Sequence, residues 1–272
     1  MIEIYQEKKE TLPRRYPFIN IVGPVGVGKS TICEELENAL QISGIQEPYL
    51  DNPYLRPFYK EDKKKYSFLS QMFFLNEDGK ETLKIKRTLS QRAILKDAGR
   101  DVNLLIATVQ WKNGWMTDDE FDTYSRRAKE IYEGASKPEV YVALTAKKET
   151  ILKRIRDRGR EMELSMMDEN PGYFPMLVDE FNNWLEKKKN GDDKLIAIDT
   201  DKFDFSRDGN LKEMLLGDTI SWLNYYLTSS HQRDSIGVDG ANLIIPESFC
   251  LRPRHITDYA PGQDGESIRL RR

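Results

Sequence analysis

Residues 18–31 read FINIVGPVGVGKST. The stretch opens with a short apolar and β-branched run that ends at a glycine, which is typical of a buried strand. A later glycine, Gly28, is followed directly by Lys29 and Ser30, and residues 32–40 then carry apolar side chains at helical spacing. The stretch therefore predicts a strand, a glycine-rich turn and a helix in succession. The plainer alternative is a glycine-rich turn with a surface lysine.

The turn satisfies the pattern G-x-x-x-x-G-K-[ST] over residues 23–30. Glycine tolerates positive φ, so the backbone amides can approach and surround phosphate groups. We expect Lys29 to reach the β- and γ-phosphates of a nucleoside triphosphate and the Ser30 hydroxyl to ligate Mg²⁺. The helix begins here, so its N-terminal dipole adds to anion binding. The candidate phosphate-binding residues, called the phosphate loop below, are Gly23, Val25, Gly26, Val27, Gly28, Lys29, Ser30 and Thr31.

The chain of 272 residues divides into an N-terminal arm (1–16), one large domain (17–228) and a C-terminal extension (229–272). Apolar strands that alternate with helices predict an α/β fold, with a parallel sheet of about five strands covered by helices on both faces. Residues 79–90 give no clear prediction. Strands are expected at 18–23, 45–46, 138–145 and 194–200, and helices at 30–44, 64–76, 93–133 (two helices broken near residue 113), 147–157, 172–188 and 210–228.

Composition excludes several classes of protein. No run of 18 apolar residues occurs, so we expect no membrane span, and the first residues lack the features of a secretory signal. A net charge of −3 argues against bulk binding of nucleic acid. The two cysteines, Cys33 and Cys250, lie far apart in unlike contexts, which favours a reducing, cytoplasmic location. The chain has only two histidines, His231 and His255, which argues against a zinc site and against a serine–histidine catalytic mechanism.

A second basic element lies in LKRIRDRGREME, residues 152–163. On a helix, Arg154 and Arg158 share one face, and Gly159 ends the helix before Arg160. Several guanidinium groups can therefore converge on phosphate oxygens and balance the charge that develops in phosphoryl transfer. We expect this lid segment, residues 154–163, to close over the donor. The alternative is a solvated arginine-rich helix.

Several segments in the same order resemble the deoxynucleoside kinase family, whose members phosphorylate deoxyguanosine, deoxyadenosine and deoxycytidine. The resemblance covers residues 17–205. VGPVGVGKST resembles its phosphate loop, and EPYLDNPYLRPFY resembles its E-P-x-x-D-N-P-x-L-x-x-F-Y segment. YSFLSQMFFL is similar to its substrate-binding helix, and QRAILKD stands where the family has [DE]-R-S-x-x-x-D. RIRDRGREME is similar to its arginine-rich lid, and IDTDKFDF to its adenine-side loop, which places Asp204 and Phe205 at the donor base.

The resemblance implies a role for each matching residue. Glu47 is the implied general base on the nucleoside 5′-hydroxyl, a role suited to a carboxylate near phosphates and magnesium. Arg92 is implied to hold the 5′ oxygen and phosphate. We expect Lys29, Arg92, Arg154 and Arg158 to balance the charge that develops in the transfer. As alternatives, Glu47 is a solvated glutamate at a strand end and Arg92 a surface charge.

The acceptor side follows from the same resemblance. Tyr59 and Glu163 are implied to bind the sugar 3′-hydroxyl, Gln71 to pair with the base edge, and Asp97 to add a second polar contact there. The alternative for Gln71 is a polar helix residue that faces solvent. The neighbouring aromatic residues Phe68, Phe73 and Phe74 are more typical of core than of a base-stacking surface.

The sequence departs from the family pattern at four positions. Gln91 stands in place of an acidic residue and Ala93 in place of the serine. Asp78 stands where the family often has a base-reading arginine, and Met162 replaces a lid glutamate. An amide oxygen is a weaker magnesium ligand than a carboxylate because it carries no net charge. These departures bear on substrate identity and turnover and leave the phosphate loop intact.

The leading hypothesis is an ATP- and Mg²⁺-dependent kinase that phosphorylates the 5′-hydroxyl of a deoxynucleoside, with a purine favoured. One alternative is a nucleoside monophosphate kinase, although the Glu47 carboxylate opposes an anionic acceptor. A second is a nucleotide-binding module without catalysis, which Gln91 and Ala93 favour. A kinase for nucleic-acid ends is disfavoured by the negative net charge. The resemblance also implies a homodimer.

Overall fold

The computed structural model describes residues 16–40, 42–46, 48–89, 91–191 and 193–201, together with Gly217, Thr219, Ile220 and Leu223. Residues 1–15 of the N-terminal arm, the C-terminal extension and most of the helix predicted at 210–228 lie outside these residues. The strands are β1 (Phe18–Val22), β2 (Ser43–Ile45), β3 (Ile94–Asp97), β4 (Val140–Thr145) and β5 (Leu195–Asp199). The helices are α1 (Lys29–Leu40), α2 (Leu55–Lys60), α3 (Lys63–Thr88), α4 (Arg100–Lys112), α5 (Asp118–Tyr132), α6 (Lys148–Arg158), α7 (Glu161–Glu169) and α8 (Tyr173–Lys189).

The five strands form one parallel sheet in the order β2-β3-β1-β4-β5. All five residues of β1 are buried, as expected for a central strand of a sheet covered on both faces. Phe18 pairs with Ile94 and Ile21 with Asp97, so β1 and β3 end side by side. The predicted α/β class and parallel sheet are confirmed.

Alternate residues of β1 serve different sides of the sheet. Ile19 and Ile21 belong to one core cluster with α1 and α6, whereas Val22 packs in another with α4 and α8. This division follows from the two-residue period of a strand, which sends successive side chains to opposite faces. Helices on both faces leave the carboxyl ends of the strands as the edge where loops can gather.

The sequence prediction was wrong at the start of the segment 93–133. Residues 94–97 form β3 and not a helix, because they pair with β1 on one side and β2 on the other. The break between the next two helices is confirmed, and so is the capping box of α5, in which Thr117 and Glu120 exchange hydrogen bonds. Residues 79–90, for which no prediction was made, continue α3 to Thr88. Among the helices of the described ranges, none is long and apolar enough to cross a membrane.

Candidate active site

The phosphate loop joins the carboxyl end of β1 to the first turn of α1. Gly26 has φ +84 and Gly28 φ +107, conformations that side chains disfavour. A Cβ atom on Gly26 would lie 2.8 Å from Cγ1 of Ile155, so the loop lies directly against α6. Lys29 Nζ donates to the carbonyl oxygen of Pro24 at 3.2 Å, which keeps the ammonium group over the loop. This geometry suits a ring of amides around an anion.

Ser30 contacts a carboxylate at the end of the neighbouring strand. Its Oγ donates to Oδ2 of Asp97 at 2.8 Å. Asp97 is only 4% exposed, and its Oδ1 has no hydrogen-bond partner in the part of the chain that the structure describes. A hydroxyl beside a buried carboxylate with a spare oxygen is a donor set that fits Mg²⁺. No cluster of three or more histidine, cysteine, aspartate or glutamate residues suited to a metal occurs in the described ranges.

A sharp turn follows Asp97. Ala98 has φ 61 and Gly99 φ 96, and the Ala98 amide donates to the carbonyl oxygen of Ile21 at 3.0 Å. Positive φ at a residue with a side chain is costly, and such strain occurs often at functional sites. The turn thus ends β3 abruptly, with Asp97 beside the phosphate loop.

Arg154 links three parts of the carboxyl edge. One of its terminal nitrogens donates to the carbonyl oxygen of Val27 at 3.2 Å and to Oγ1 of Thr200 at 2.8 Å. The other donates to the carbonyl oxygen of Thr200 at 2.7 Å. Arg154 therefore fastens the phosphate loop to the residue that follows β5, and these contacts favour a role in holding the loop over direct contact with phosphate.

Arg158 is paired with a buried carboxylate. Its Nε and Nη2 donate to Oε2 of Glu163 at 3.1 and 2.6 Å, and the Glu163 side chain is 4% exposed. The structure therefore brings together the lid arginine predicted on the donor side and the glutamate predicted on the sugar.

Tyr59 and Gln71 are both buried, at 7% and 1% exposure. The alternative of a solvent-facing Gln71 is therefore wrong. Its Oε1 has no partner among the described residues, and the same holds for Oδ1 of Asn103 on α4. A buried amide oxygen without a partner costs about 1–3 kcal/mol, so each oxygen is an acceptor available to a ligand. Asn103 was missed by the sequence analysis, because one asparagine in an apolar helix carries no distinctive pattern.

Helices α3 and α4 run antiparallel, and polar side chains lie where the two helices contact each other. Ser67 Oγ donates to Oε1 of Gln110 at 2.6 Å, and near the other end Asp78 Oδ1 lies 3.7 Å from where a Cβ of Gly99 would stand. Gln71 and Asn103 lie between these two contacts in sequence. The contact between α3 and α4 thus places two unpaired amide oxygens, those of Gln71 and Asn103, on facing helices.

Asp78 is engaged in a buried ion cluster. It accepts hydrogen bonds from Lys96 Nζ and from the Tyr132 hydroxyl, and Lys96 also pairs with Glu81. Burial alone lowers the pKa of Lys96, but the charges of Asp78 and Glu81 outweigh it and raise the pKa above its ordinary value. Burial and the Asp78 charge also raise the pKa of the Tyr132 hydroxyl, so that group stays protonated as a donor. Asp78 is thus held by the protein itself.

The structure does not bring Arg92 to this edge. Arg92 precedes β3, and near it the Ile94 amide bonds to the carbonyl oxygen of Pro17, which precedes β1. Five residues of extended chain span about 16 Å, so Arg92 lies at the amino edge of the sheet, away from Asp97. Its side chain is exposed. The expected role of Arg92 at the reacting phosphate is therefore corrected, and the alternative of a surface charge fits its position.

Three predicted site residues, Glu47, Asp204 and Phe205, lie outside the described residues. Glu47 follows Gln46, which comes directly after the carboxyl end of β2. Because β2 pairs with β3, Gln46 lies at the edge where Asp97 contacts Ser30.

Comparison with known proteins gives consistent matches. The family model for deoxynucleoside kinase matches residues 19–221. A deoxyguanosine kinase of Lactobacillus acidophilus is 30% identical over 211 residues, which cover 75% of this chain and 90% of the relative. A deoxyadenosine/deoxycytidine kinase of Bacillus subtilis is 32% identical over 184 residues, covering 65% and 80%. The solved structure of deoxyadenosine kinase from M. mycoides with bound dCTP superposes with a TM-score of 0.63 at 25% identity, covering 75% of this chain and 99% of that one.

Proposed function

Because the chain belongs to the deoxynucleoside kinase family, we propose that it transfers the γ-phosphoryl group of ATP to the 5′-hydroxyl of a purine deoxynucleoside. The observation that carries the proposal is the contact of Ser30 with Asp97 at 2.8 Å, which joins the phosphate loop to the neighbouring strand end. Phosphoryl transfer depends mainly on positioning and on charge stabilisation, and this edge supplies both.

On the donor side, the amides of the phosphate loop and Lys29 bind the phosphates. Ser30 and Asp97 would hold Mg²⁺. Bound there, the ion neutralises charge on the β- and γ-phosphate oxygens. Asp97 thereby moves from the base edge, where the resemblance put it, to the metal side. Arg158 and Lys29 balance the charge that develops, and Arg154 keeps the loop in place.

On the acceptor side, Glu47 accepts the proton of the attacking 5′-hydroxyl, and Tyr59 and Glu163 bind the 3′-hydroxyl. A buried carboxylate such as Glu163 is a strong acceptor for a hydroxyl donor. Gln71 reads the base edge, since an amide offers both a donor and an acceptor. The purine preference rests on this amide and on the names of the relatives, which include deoxyguanosine and deoxyadenosine kinases.

The departures from the family pattern do not weigh against catalysis. Gln91 and Ala93 precede β3 and lie with Arg92 at the amino edge of the sheet. The carboxylate that they were expected to lack is present as Asp97, at the end of the same strand. The observation that favoured a module without catalysis is therefore removed.

The experiment is a transfer assay. The protein is incubated with labelled ATP, Mg²⁺ and each deoxynucleoside or deoxynucleoside monophosphate, and the products are separated. We expect monophosphates from deoxyguanosine or deoxyadenosine, and no transfer by Glu47→Gln, which still binds ATP. Glu34→Gln, an exposed glutamate of α1, is the matched control and keeps full activity. Diphosphate products identify a nucleoside monophosphate kinase instead, and absence of any product in the presence of bound ATP contradicts the proposal.

We further propose that the protein acts in the cytoplasm as a homodimer. Cys33 is a free, buried thiol, and burial raises its pKa far above the ordinary value, so it stays unreactive. A reducing compartment agrees with this thiol. Sedimentation equilibrium tests the homodimer, and a monomer mass at micromolar concentration contradicts it.

A further inference from the structure

Tyr49 contacts the lid segment from the acceptor side. It lies in a 3₁₀ turn, Tyr49–Asp51, within the segment that joins β2 to α2. The guanidinium carbon of Arg160 lies 4.5 Å from the centroid of the Tyr49 ring, and Arg160 Nη2 donates to the Tyr49 hydroxyl at 3.0 Å. A planar cation that stacks on a ring and also donates a hydrogen bond is fixed in orientation. Tyr49 thus fixes Arg160.

Arg160 in turn shares a carboxylate with Arg158. Arg160 Nη1 lies 3.5 Å from Oε1 of Glu163, while both Arg158 hydrogen bonds go to Oε2. Each oxygen of this buried carboxylate therefore faces a different arginine. A continuous series of contacts runs from Tyr49 through Arg160 and Glu163 to Arg158.

This series of contacts crosses the turn between α6 and α7, and the two helices are held by different parts of the protein. Helix α6 is fastened to the phosphate loop through Arg154. Helix α7 is fastened to the acceptor side, since Lys63 pairs with Glu169 at 2.6 Å and Lys60 pairs with Glu161. Between the helices lies Gly159, with φ 69. The ion pair of Arg158 with Glu163 spans this turn and connects α6 to α7.

We propose that Tyr49 is a positioning residue that, by holding Arg160 in place, preserves a coupling of the acceptor and donor sites through Glu163 and Arg158. The inference rests on the proposed function, which places the sugar 3′-hydroxyl on Glu163 and the donor phosphates near Arg158. A sugar hydroxyl that donates a hydrogen bond to the Glu163 carboxylate competes with Arg158 for that carboxylate. The N–H groups of Arg158 are then available to phosphate oxygens, so binding of the nucleoside strengthens binding of the donor. The same coupling acts in the reverse direction.

Tyr49 matters because it limits how Arg160 uses Glu163. Held by the ring and hydroxyl, Arg160 reaches one carboxylate oxygen at 3.5 Å and leaves the other to Arg158. Freed from Tyr49, Arg160 can form a bidentate pair with the carboxylate, the arrangement that guanidinium and carboxylate groups favour. Such a pair excludes both Arg158 and the sugar, and the coupling is lost.

The test measures coupling directly. Isothermal titration calorimetry gives the Kd of a non-hydrolysable ATP analogue, with and without saturating deoxyguanosine or deoxyadenosine, whichever is the better acceptor in the transfer assay. In the wild type we expect the nucleoside to lower the Kd of the ATP analogue at least about 5-fold. In Tyr49→Ala the ratio of the two constants falls to about one, and in Tyr49→Phe, which keeps the ring, it is intermediate. Arg160→Ala removes the competing guanidinium, so its ratio stays near that of the wild type, and adding Arg160→Ala to Tyr49→Ala restores the ratio that Tyr49→Ala loses.

Arg156→Ala is the matched control. Arg156 is an exposed arginine of α6 that carries the same charge as Arg158. Its removal weakens analogue binding with and without nucleoside equally, so the ratio stays at the wild-type value. Circular dichroism compares the folding of all variants with that of the control.

Each outcome has one interpretation. A wild-type ratio of one overturns the proposed coupling, and a ratio that stays near one in the double variant overturns the role of Arg160 as the competing group. If the wild type binds the analogue but neither binds nor phosphorylates any deoxynucleoside, the proposed function itself fails. Active wild-type protein with unchanged coupling in Tyr49→Ala removes only the role of Tyr49.

Discussion

Among single residues, the contact between Ser30 and Asp97 carries the proposed magnesium site. Asp97 is buried, and its second oxygen is an unpaired acceptor among the described residues. Asp97→Asn keeps the size of the side chain and removes its charge. We expect the magnesium concentration for half-maximal activity to rise by roughly 10–100-fold, the usual cost of losing a carboxylate that supports a metal site.

Magnesium titrations of transfer activity check this expectation. Ser30→Thr is the matched control because it keeps a hydroxyl at the position and should titrate like the wild type. Superimposable curves for wild type and Asp97→Asn contradict the assignment of Asp97 to the metal side.

A second prediction concerns the buried lysine of β3. Lys96→Met removes the only positive charge that the structure shows paired with both Asp78 and Glu81. Two carboxylates are then left without their partner, so we expect a loss of about 3–5 kcal/mol in the free energy of unfolding. Urea denaturation at neutral pH measures it. Adding Asp78→Asn to Lys96→Met should restore part of the loss, and a loss below about 1 kcal/mol in the single variant contradicts the described pairing.

The same pair has a pH dependence with a definite sign. The folded-state pKa of Lys96 is raised, so its contribution to stability is fully present below the unfolded lysine value of about 10.4. The contribution is lost as the pH rises through the higher folded-state value. Stability of the wild type relative to Lys96→Met should therefore be constant from pH 6 to about 9 and decline only above about 10.

At the scale of elements, the phosphate loop and α6 act as one unit. Gly26 has φ +84, and a Cβ there would lie 2.8 Å from Ile155 Cγ1. Gly26→Ala should weaken ATP binding at least about 10-fold, because the loop must move to relieve both the φ strain, which costs about 1–2 kcal/mol, and the overlap. Titration with the ATP analogue measures the effect.

Gly114→Ala separates strain from overlap. Gly114 also has a positive φ, +68, but no atom lies within 4 Å of its would-be Cβ. We expect it to lower stability slightly and to leave ATP binding unchanged. Equal affinity of the Gly26 variant and the wild type would contradict the described packing of the loop against α6.

The elements also show what sequence could predict. The phosphate loop was predictable because its chemistry is local: consecutive residues make the strand end, the turn and the helix start. Strand β3 was not, because it is four residues long and includes Lys96, whose burial depends on carboxylates from α3. Helix α3 continues through Gly79 because that glycine faces Ile131, where a Cβ would come within 3.1 Å. Partners far apart in sequence decided each of these features.

The same reasoning explains the site residues. Glu163 and Arg158 are five residues apart in one motif, so both were predicted as site residues, whereas the pairing of Ser30 with Asp97 spans 67 residues. Arg92 was misplaced because an arginine beside a matching motif says nothing about which end of a strand it occupies. Only the register of β3 against β1 decides that.

At the scale of the whole molecule, α7 is docked on the acceptor side by exposed ion pairs. Hydrogen bonding and charge from Lys60 lower the pKa of Glu161, and hydrogen bonds from Lys63 and Ser165 together with the charge of Lys63 lower that of Glu169. When the folded-state pKa of a carboxylate is lowered, its contribution to docking is present above the unfolded-state pKa of about 4.3. The contribution is lost as the pH falls through the folded-state pKa. Amide protection of α7, corrected for intrinsic exchange rates, should therefore decline below about pH 4 before that of α1 does. Parallel decline of the two helices contradicts this.

Across the whole molecule, we propose that donor phosphates and an acceptor 5′-hydroxyl meet at the carboxyl edge of the sheet. The most direct measurement is a crystal structure with a deoxynucleoside joined through its 5′-oxygen to the terminal phosphate of an ATP analogue. We predict phosphates surrounded by the amides of residues 23–31, the Glu47 carboxylate within hydrogen-bond distance of the 5′-oxygen, and the base against Gln71. Binding of the compound elsewhere, or a Glu47 side chain turned away from the 5′-oxygen, contradicts the account.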